Sequence, residues 1–133
     1  MQVEDIRNAA VAALEEIKAR DIEVMDVRKL TSLFDYMIVA SADSARQTKA
    51  LARNVHDRIK QAGGRVVGIE GEQAGEWVLV DLGAVVIHVM QPAIRDYYNL
   101  EQLWGGKGPR SVVHLRRGSD GRVGAEPGVQ AGP

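Results

Sequence analysis

Cysteine is absent from the 133 residues, which excludes disulfides, thiolate catalysis and every zinc site that uses Cys, and suits a reducing cytoplasm. Charge of one sign is not in excess either. Seventeen Lys and Arg against 18 Asp and Glu leave a net charge of −1, without the basic surplus of a general nucleic-acid binder. Long apolar runs are missing from the opening stretch, MQVEDIRNAAVAALEEIKAR, where charge interrupts each one; it has neither a signal-peptide core nor the roughly twenty apolar residues of a membrane span. The expectation is a cytoplasmic protein with no membrane partner. Aromatic residues are few, with one Phe, three Tyr and two Trp, so their clustering carries information. Proline and glycine are sparse up to Trp104, while three of the four prolines and eight of the 14 glycines occur from Gly105 onward. This divides the chain into one domain over 1–104 and a Gly/Pro-rich, flexible tail over 105–133, with one short strand around Val112, Val113 and Leu115.

Within the domain, Val3, Ile6, Ala10, Ala13, Leu14 and Ile17 recur at helical spacing, so the first segment is an amphipathic helix. A strand is expected over Asp21 to Val27, at or near an edge, and Leu30 to Leu33 reads as a connector. The short apolar run Asp35-Tyr36-Met37-Ile38-Val39-Ala40-Ser41 lacks alternation, the pattern of a strand covered on both faces, and predicts the central strand. Ser44-Ala45-Arg46-Gln47 has the form of a capping box ahead of a helix carrying Thr48, Leu51, Ala52, Val55, Ile59 and Ala62, ended by Gly63-Gly64. A short strand follows at Arg65 to Ile69, then a polar loop. The order of elements predicts an α/β (α+β) fold, a mixed, mostly five-stranded sheet with helices packed on it.

The most informative stretch begins at Glu76. Glu76 to Asp81 and Ala84 to Met90 form two strands of a hairpin around Leu82-Gly83, and a symmetric loop pairs Val80 with Val85 and Trp77 with His88. Period-two alternation then separates two faces. Val78, Val80, Val85, Ile87 and Val89 make a β-branched face suited to a helical core, while Trp77, Leu79, Val86, His88 and Met90 make one with the residue types of a contact surface. From these residues alone, Trp77, Leu79 and Met90 fit core and interface about equally. After Pro92, Tyr97, Tyr98 and Trp104 crowd into a short helical segment.

These residues carry a family resemblance: Asp26-Val27, Asp35-Tyr36 entering an apolar strand, Ser44-x-Arg46-Gln47, Glu70-Gly71, Glu76-Trp77-Val78-Leu79-Val80-Asp81, Val86-x-His88-Val89, and Arg95-x-x-Tyr98-x-Leu100-Glu101-x-Leu103-Trp104. As a set, in this order and spacing, they resemble the Iojap-like ribosomal silencing factors over about Ile6 to Trp104. The resemblance implies a nucleotidyltransferase-like core without catalytic apparatus and a cofactor-free translational repressor. Such a protein docks on large ribosomal subunit protein fourteen, blocks joining of the small subunit under nutrient limitation, and forms a homodimer when free. It also tips Trp77, Leu82, His88, Met90, Arg95 and Tyr98 towards the docking surface, leaving Trp104 as structural support. The sequence departs from the family pattern at Ala42, where glycine is frequent, and at Leu82 and Met90, where an aromatic is frequent.

Other chemistries find weaker support. Arg46, Lys49, Arg53, His56 and Lys60 form one helix stripe that suits peripheral contact with ribosomal RNA phosphates or a solvated face. Asp26, Asp35 and Asp81 are residue types for a Mg-nucleotide enzyme of the nucleotidyltransferase kind, but the Gly-Ser loop and paired Asp-x-Asp are missing. His56, His88 and His114 lack zinc-site spacing, Ser41 and Ser44 lack a nucleophile elbow, and Gly105-Gly106-Lys107-Gly108 lacks the rest of a phosphate loop. No metal is expected and no catalytic residue is assigned.

Overall fold

The computed structural model describes residues 1–105 and 112–115. Helix α1 (Val3–Glu16) buries Ala10, Val11, Ala13 and Leu14. The chain turns through Lys18, in the left-handed region, into β1 (Arg20–Asp26), where Asp21 is also left-handed and the register against the neighbouring strand slips between Arg20 and Glu23. Strand β2 (Tyr36–Ser41) is buried at every position, as its unalternating apolar run predicts, because protein covers both of its faces.

Helix α2 (Ala45–Gln61) starts at Ser44, whose side chain accepts the Gln47 N–H at 3.0 Å. Only half of the expected capping box forms here. The Gln47 amide oxygen takes the Asp43 N–H at 2.9 Å, while its nitrogen donates to the carbonyls of Ile17 and Lys18, tying the end of α1 to the start of α2.

Strands β3 (Gly68–Glu70), β4 (Trp77–Asp81) and β5 (Val85–Met90) follow, then α3 (Pro92–Tyr98), α4 (Leu100–Gly105) and β6 (Val112–Leu115). The sheet order is β3-β4-β5-β2-β1-β6. Five strands therefore come from the predicted domain, and β6 adds a sixth beside β1. That addition places β1 one strand in from the edge. The pair β2 and β5 is parallel and the remaining pairs are antiparallel. Apart from Gly105 and β6, the tail expected to be flexible lies outside the described residues, as does most of the glycine-rich Gly105–Gly108 stretch.

The hairpin differs from its predicted register. Val80 pairs with Ile87 and Trp77 with Met90, two residues along from the register of a loop centred on Leu82-Gly83. The turn itself explains the shift: the Asp81 carboxylate accepts the Gly83 N–H at 2.8 Å, Gly83 adopts φ +88°, and the Leu82 N–H donates to the Val85 carbonyl. A shift of two preserves side-chain alternation, so both predicted faces survive.

One face of the sheet carries Val24, Tyr36, Ile38, Ala40, Val78, Val80, Val85, Ile87 and Val89 against α1 and α2, and forms the main core. The other carries Met25, Met37, Val39 and Met90, joined by Val27 and packed with Phe34, Trp77, Ile94, Leu100 and Trp104. Since α3 and α4 are short, they cover only part of this second face.

Candidate docking site

Cross-strand pairing lays out the second face row by row. One row runs Glu23, Val39, His88, Leu79, Glu70 across β1, β2, β5, β4 and β3; the next brings Ser41, Met90 and Trp77 side by side. Trp77, Leu79, Val86 and His88 are each only partly buried. Tyr98 projects from the end of α3 onto Trp77, with ring centroids 4.8 Å apart, and Tyr97 meets Tyr98 edge-on at 4.9 Å. The result is an aromatic and aliphatic patch over β4 and β5, rimmed by Tyr98 at 50% exposure and Tyr97 at 79%. Apolar groups of this size left to solvent mark contact surfaces more often than scattered single residues do.

The patch is held from below. Thr48 on α2, fully buried, donates its hydroxyl to the Gly75 carbonyl at 2.6 Å, and the Gln91 side chain donates to the same carbonyl at 3.1 Å. Gly71 has φ +87°, and a Cβ there would lie 2.2 Å from the Trp77 carbonyl oxygen, so only glycine permits this approach to the strand that carries Trp77.

Trp77 and His88 are diagonal neighbours rather than opposite one another, yet they are joined: the indole N–H donates to Nδ1 of His88 at 2.9 Å. Burial pushes the His88 pKa down from 6.5 to about 4, so the ring is neutral at pH 7. The unfolded chain therefore binds a proton between pH 6.5 and 4 that the folded chain refuses, and stability must rise with pH through that window. We expect about 2 kcal/mol to be lost between pH 7.5 and 5 beyond the loss in His88→Gln, measured by urea unfolding. Parallel profiles for the two proteins would show that His88 is not desolvated.

Three of the six residues assigned to docking from the sequence are buried. Leu82 is 6% exposed, and the tight turn folds it back into the main core on the helical side. Met90 lies on the predicted face but is 0% exposed, because the chain returns over it as α3 and α4. Arg95 is 7% exposed, with Nε donating to Glu101 and one terminal nitrogen donating to the Ser41 hydroxyl, both at 2.7 Å, while the other lies 3.8 Å from Glu23. None of the three offers appreciable surface to a partner. Trp77, His88 and Tyr98 do come together. Trp104 packs on Phe34 at 5.6 Å, in the supporting position expected of it. Tyr97 went unassigned, although its position beside Tyr98 was a usable signal.

Arg46, Lys49 and Arg53 are all exposed on α2, with Arg53 3.6 Å from Glu72. Because α2 packs on the opposite face of the sheet, this stripe and the Trp77 patch do not form one surface. Asp26 is held by Arg28, which keeps its carboxyl below the usual range, and Asp81 is occupied by the turn. Among the described residues, no group of three or more His, Asp or Glu side chains is arranged to hold a metal ion, and no helix is long and apolar enough to cross a membrane.

The family profile described as "Ribosomal silencing factor during starvation" matches residues 1–127. The chain belongs to this family. A "Ribosomal silencing factor RsfS" of Chromobacterium violaceum is 56% identical over 113 residues, covering 85% of this chain and 93% of the relative. A protein of the same name from Bacillus subtilis is 39% identical over 105 residues, covering 79% and 89%. The X-ray structure of a Chromobacterium violaceum protein, at 56% identity, superposes with a TM-score of 0.78 over 84% of this chain and 92% of that one. The resemblance read from the sequence motifs thus identifies the family, and the mixed sheet with packed helices is the architecture of its solved members. The matched stretch also runs past the boundary drawn at residue 104.

Proposed function

We propose that this protein is a non-enzymatic translational repressor that binds the large ribosomal subunit through protein fourteen and keeps the small subunit from joining by occupying space. Membership of the silencing-factor family supports a ribosomal target. The observation that carries the docking assignment is the partly open patch of Trp77, His88 and Tyr98, with Leu79 and Val86 beside them, on a sheet face whose remainder is sealed by α3 and α4. Tryptophan and tyrosine are favoured anchors of protein interfaces, and the patch has no cationic groups at its centre, so it fits a protein surface better than a phosphate backbone. Arg46, Lys49 and Arg53, on the opposite layer, would add at most a peripheral contact with ribosomal RNA.

Sedimentation of the purified chain through a sucrose cushion with isolated subunits tests this reading. We expect it to pellet with large subunits alone, and to do so nearly as well at 300 mM as at roughly 100 mM salt, because an apolar contact is insensitive to screening. Retention that collapses with added salt would point to RNA as the target, and pelleting with neither subunit would remove the ribosome from the account.

A further inference from the structure

We infer that the hydrogen-bond donor this face presents is the Nε2–H of His88, not the indole N–H of Trp77, and that it is matched to an uncharged carbonyl oxygen on the docked protein. This rests on the docking reading above and specifies its chemistry. The indole has a single donor, and it is spent inside the molecule on Nδ1 of His88. Trp77 can therefore offer a partner only its ring. Accepting that bond leaves Nδ1 without a proton, so the neutral imidazole carries its hydrogen on Nε2. Among the described residues, the one buried side-chain polar atom with no partner is an oxygen of Glu101. Nε2, which no group among the described residues accepts, therefore keeps its access to solvent. Trp77 thus fixes the tautomer and aims the donor, and a docked surface that excludes water must supply the acceptor or strand the N–H.

The surroundings favour a neutral acceptor over a carboxylate. The cross-strand neighbours of His88 are Leu79 and Val39, and Trp77 contacts the ring diagonally. The charged groups in its row, Glu23 and Glu70, lie two strands away on either side and are acidic; Glu23 is beside Arg95, and Asp81 stands at the far end of β4. A second negative charge brought to this spot would meet desolvation, and Arg95, the cation beside Glu23, is already engaged by it and by Glu101.

Three measurements test the inference. Two-bond ¹H–¹⁵N spectra of the free protein between pH 6 and 8 should show His88 with Nε2 protonated; a proton on Nδ1 would overturn the proposal without any substitution. In sedimentation with large subunits, His88→Phe, which keeps a ring and removes the donor, should bind about tenfold more weakly. His88→Gln, whose amide nitrogen reaches close to the Nε2 position, should stay within about threefold of the parent. If both variants bind like the parent while Trp77→Ala is impaired, docking stands and the assigned donor falls. If all three bind like the parent, the docking face itself is misplaced. Titration calorimetry with large subunits at pH 6.5 in buffers of different ionisation enthalpy should show no proton uptake. An uptake abolished by His88→Gln would identify a carboxylate and overturn the neutral acceptor.

Discussion

Trp77→Ala is expected to weaken association with the large ribosomal subunit by thirtyfold or more, on the order of 2 kcal/mol, and to relieve repression of subunit joining in proportion. Three roles converge on this side chain. Its ring forms the middle of the patch, in contact with Tyr98 at 4.8 Å and His88 at 5.8 Å. It also covers the buried Met90 beside it on the adjacent strand, and it holds the His88 imidazole through Nδ1. Because Trp77 is partly buried, truncation will also cost stability, and circular dichroism melts must accompany the sedimentation. Tyr98→Ala separates the two effects. At 50% exposure its ring contributes little to the core but much of the patch rim, so we expect an almost unchanged melt with clearly weakened sedimentation. Normal binding by folded Trp77→Ala and Tyr98→Ala proteins would sink the proposed face.

Why the sequence brought Trp77, His88 and Tyr98 to one surface but misjudged the burial of Leu82, Met90 and Arg95 follows from the range of the forces that place them. Alternation along β4 and β5 is a local property with period two, so the two faces could be assigned even from the wrong register. The run through β2 shows no alternation because both sides are covered, and that too is local. The register, by contrast, depends on one carboxylate, Asp81, capping the turn at Gly83. A Leu-Gly pair gives only a weak turn signal, which left the register unfixed and hid the inward fold of Leu82. Met90 sits on the assigned face, but its exposure is decided by α3 and α4, whose return path is a tertiary fact. The same path decides Arg95. A charged residue in a short helix is expected at the surface, and nothing near it in the chain announces that Glu23 on β1 and Ser41 on β2 will be waiting for it.

Arg95→Ala is therefore expected to act on the fold, with a loss of about 3–5 kcal/mol in unfolding free energy, the range seen when one member of a buried ion pair is removed. The guanidinium joins α3 to the sheet through Ser41 and Glu23 and to α4 through Glu101. Its side chain is 8% exposed, against 20% for Glu101, so little solvent is available to compensate the Glu101 carboxylate once it is gone. One oxygen of Glu101 is already buried without a partner, and that carboxylate depends on Nε of Arg95 for its neutralisation. Arg95→Met, which keeps much of the side chain's length and removes its charge, should lose nearly as much. A loss confined to helix packing, with no buried charge involved, would be largely restored by the Met side chain. Urea unfolding of the two variants distinguishes these outcomes. If Arg95 instead belonged to the docking surface, Arg95→Ala would melt like the parent and bind poorly, and the buried assignment would fail.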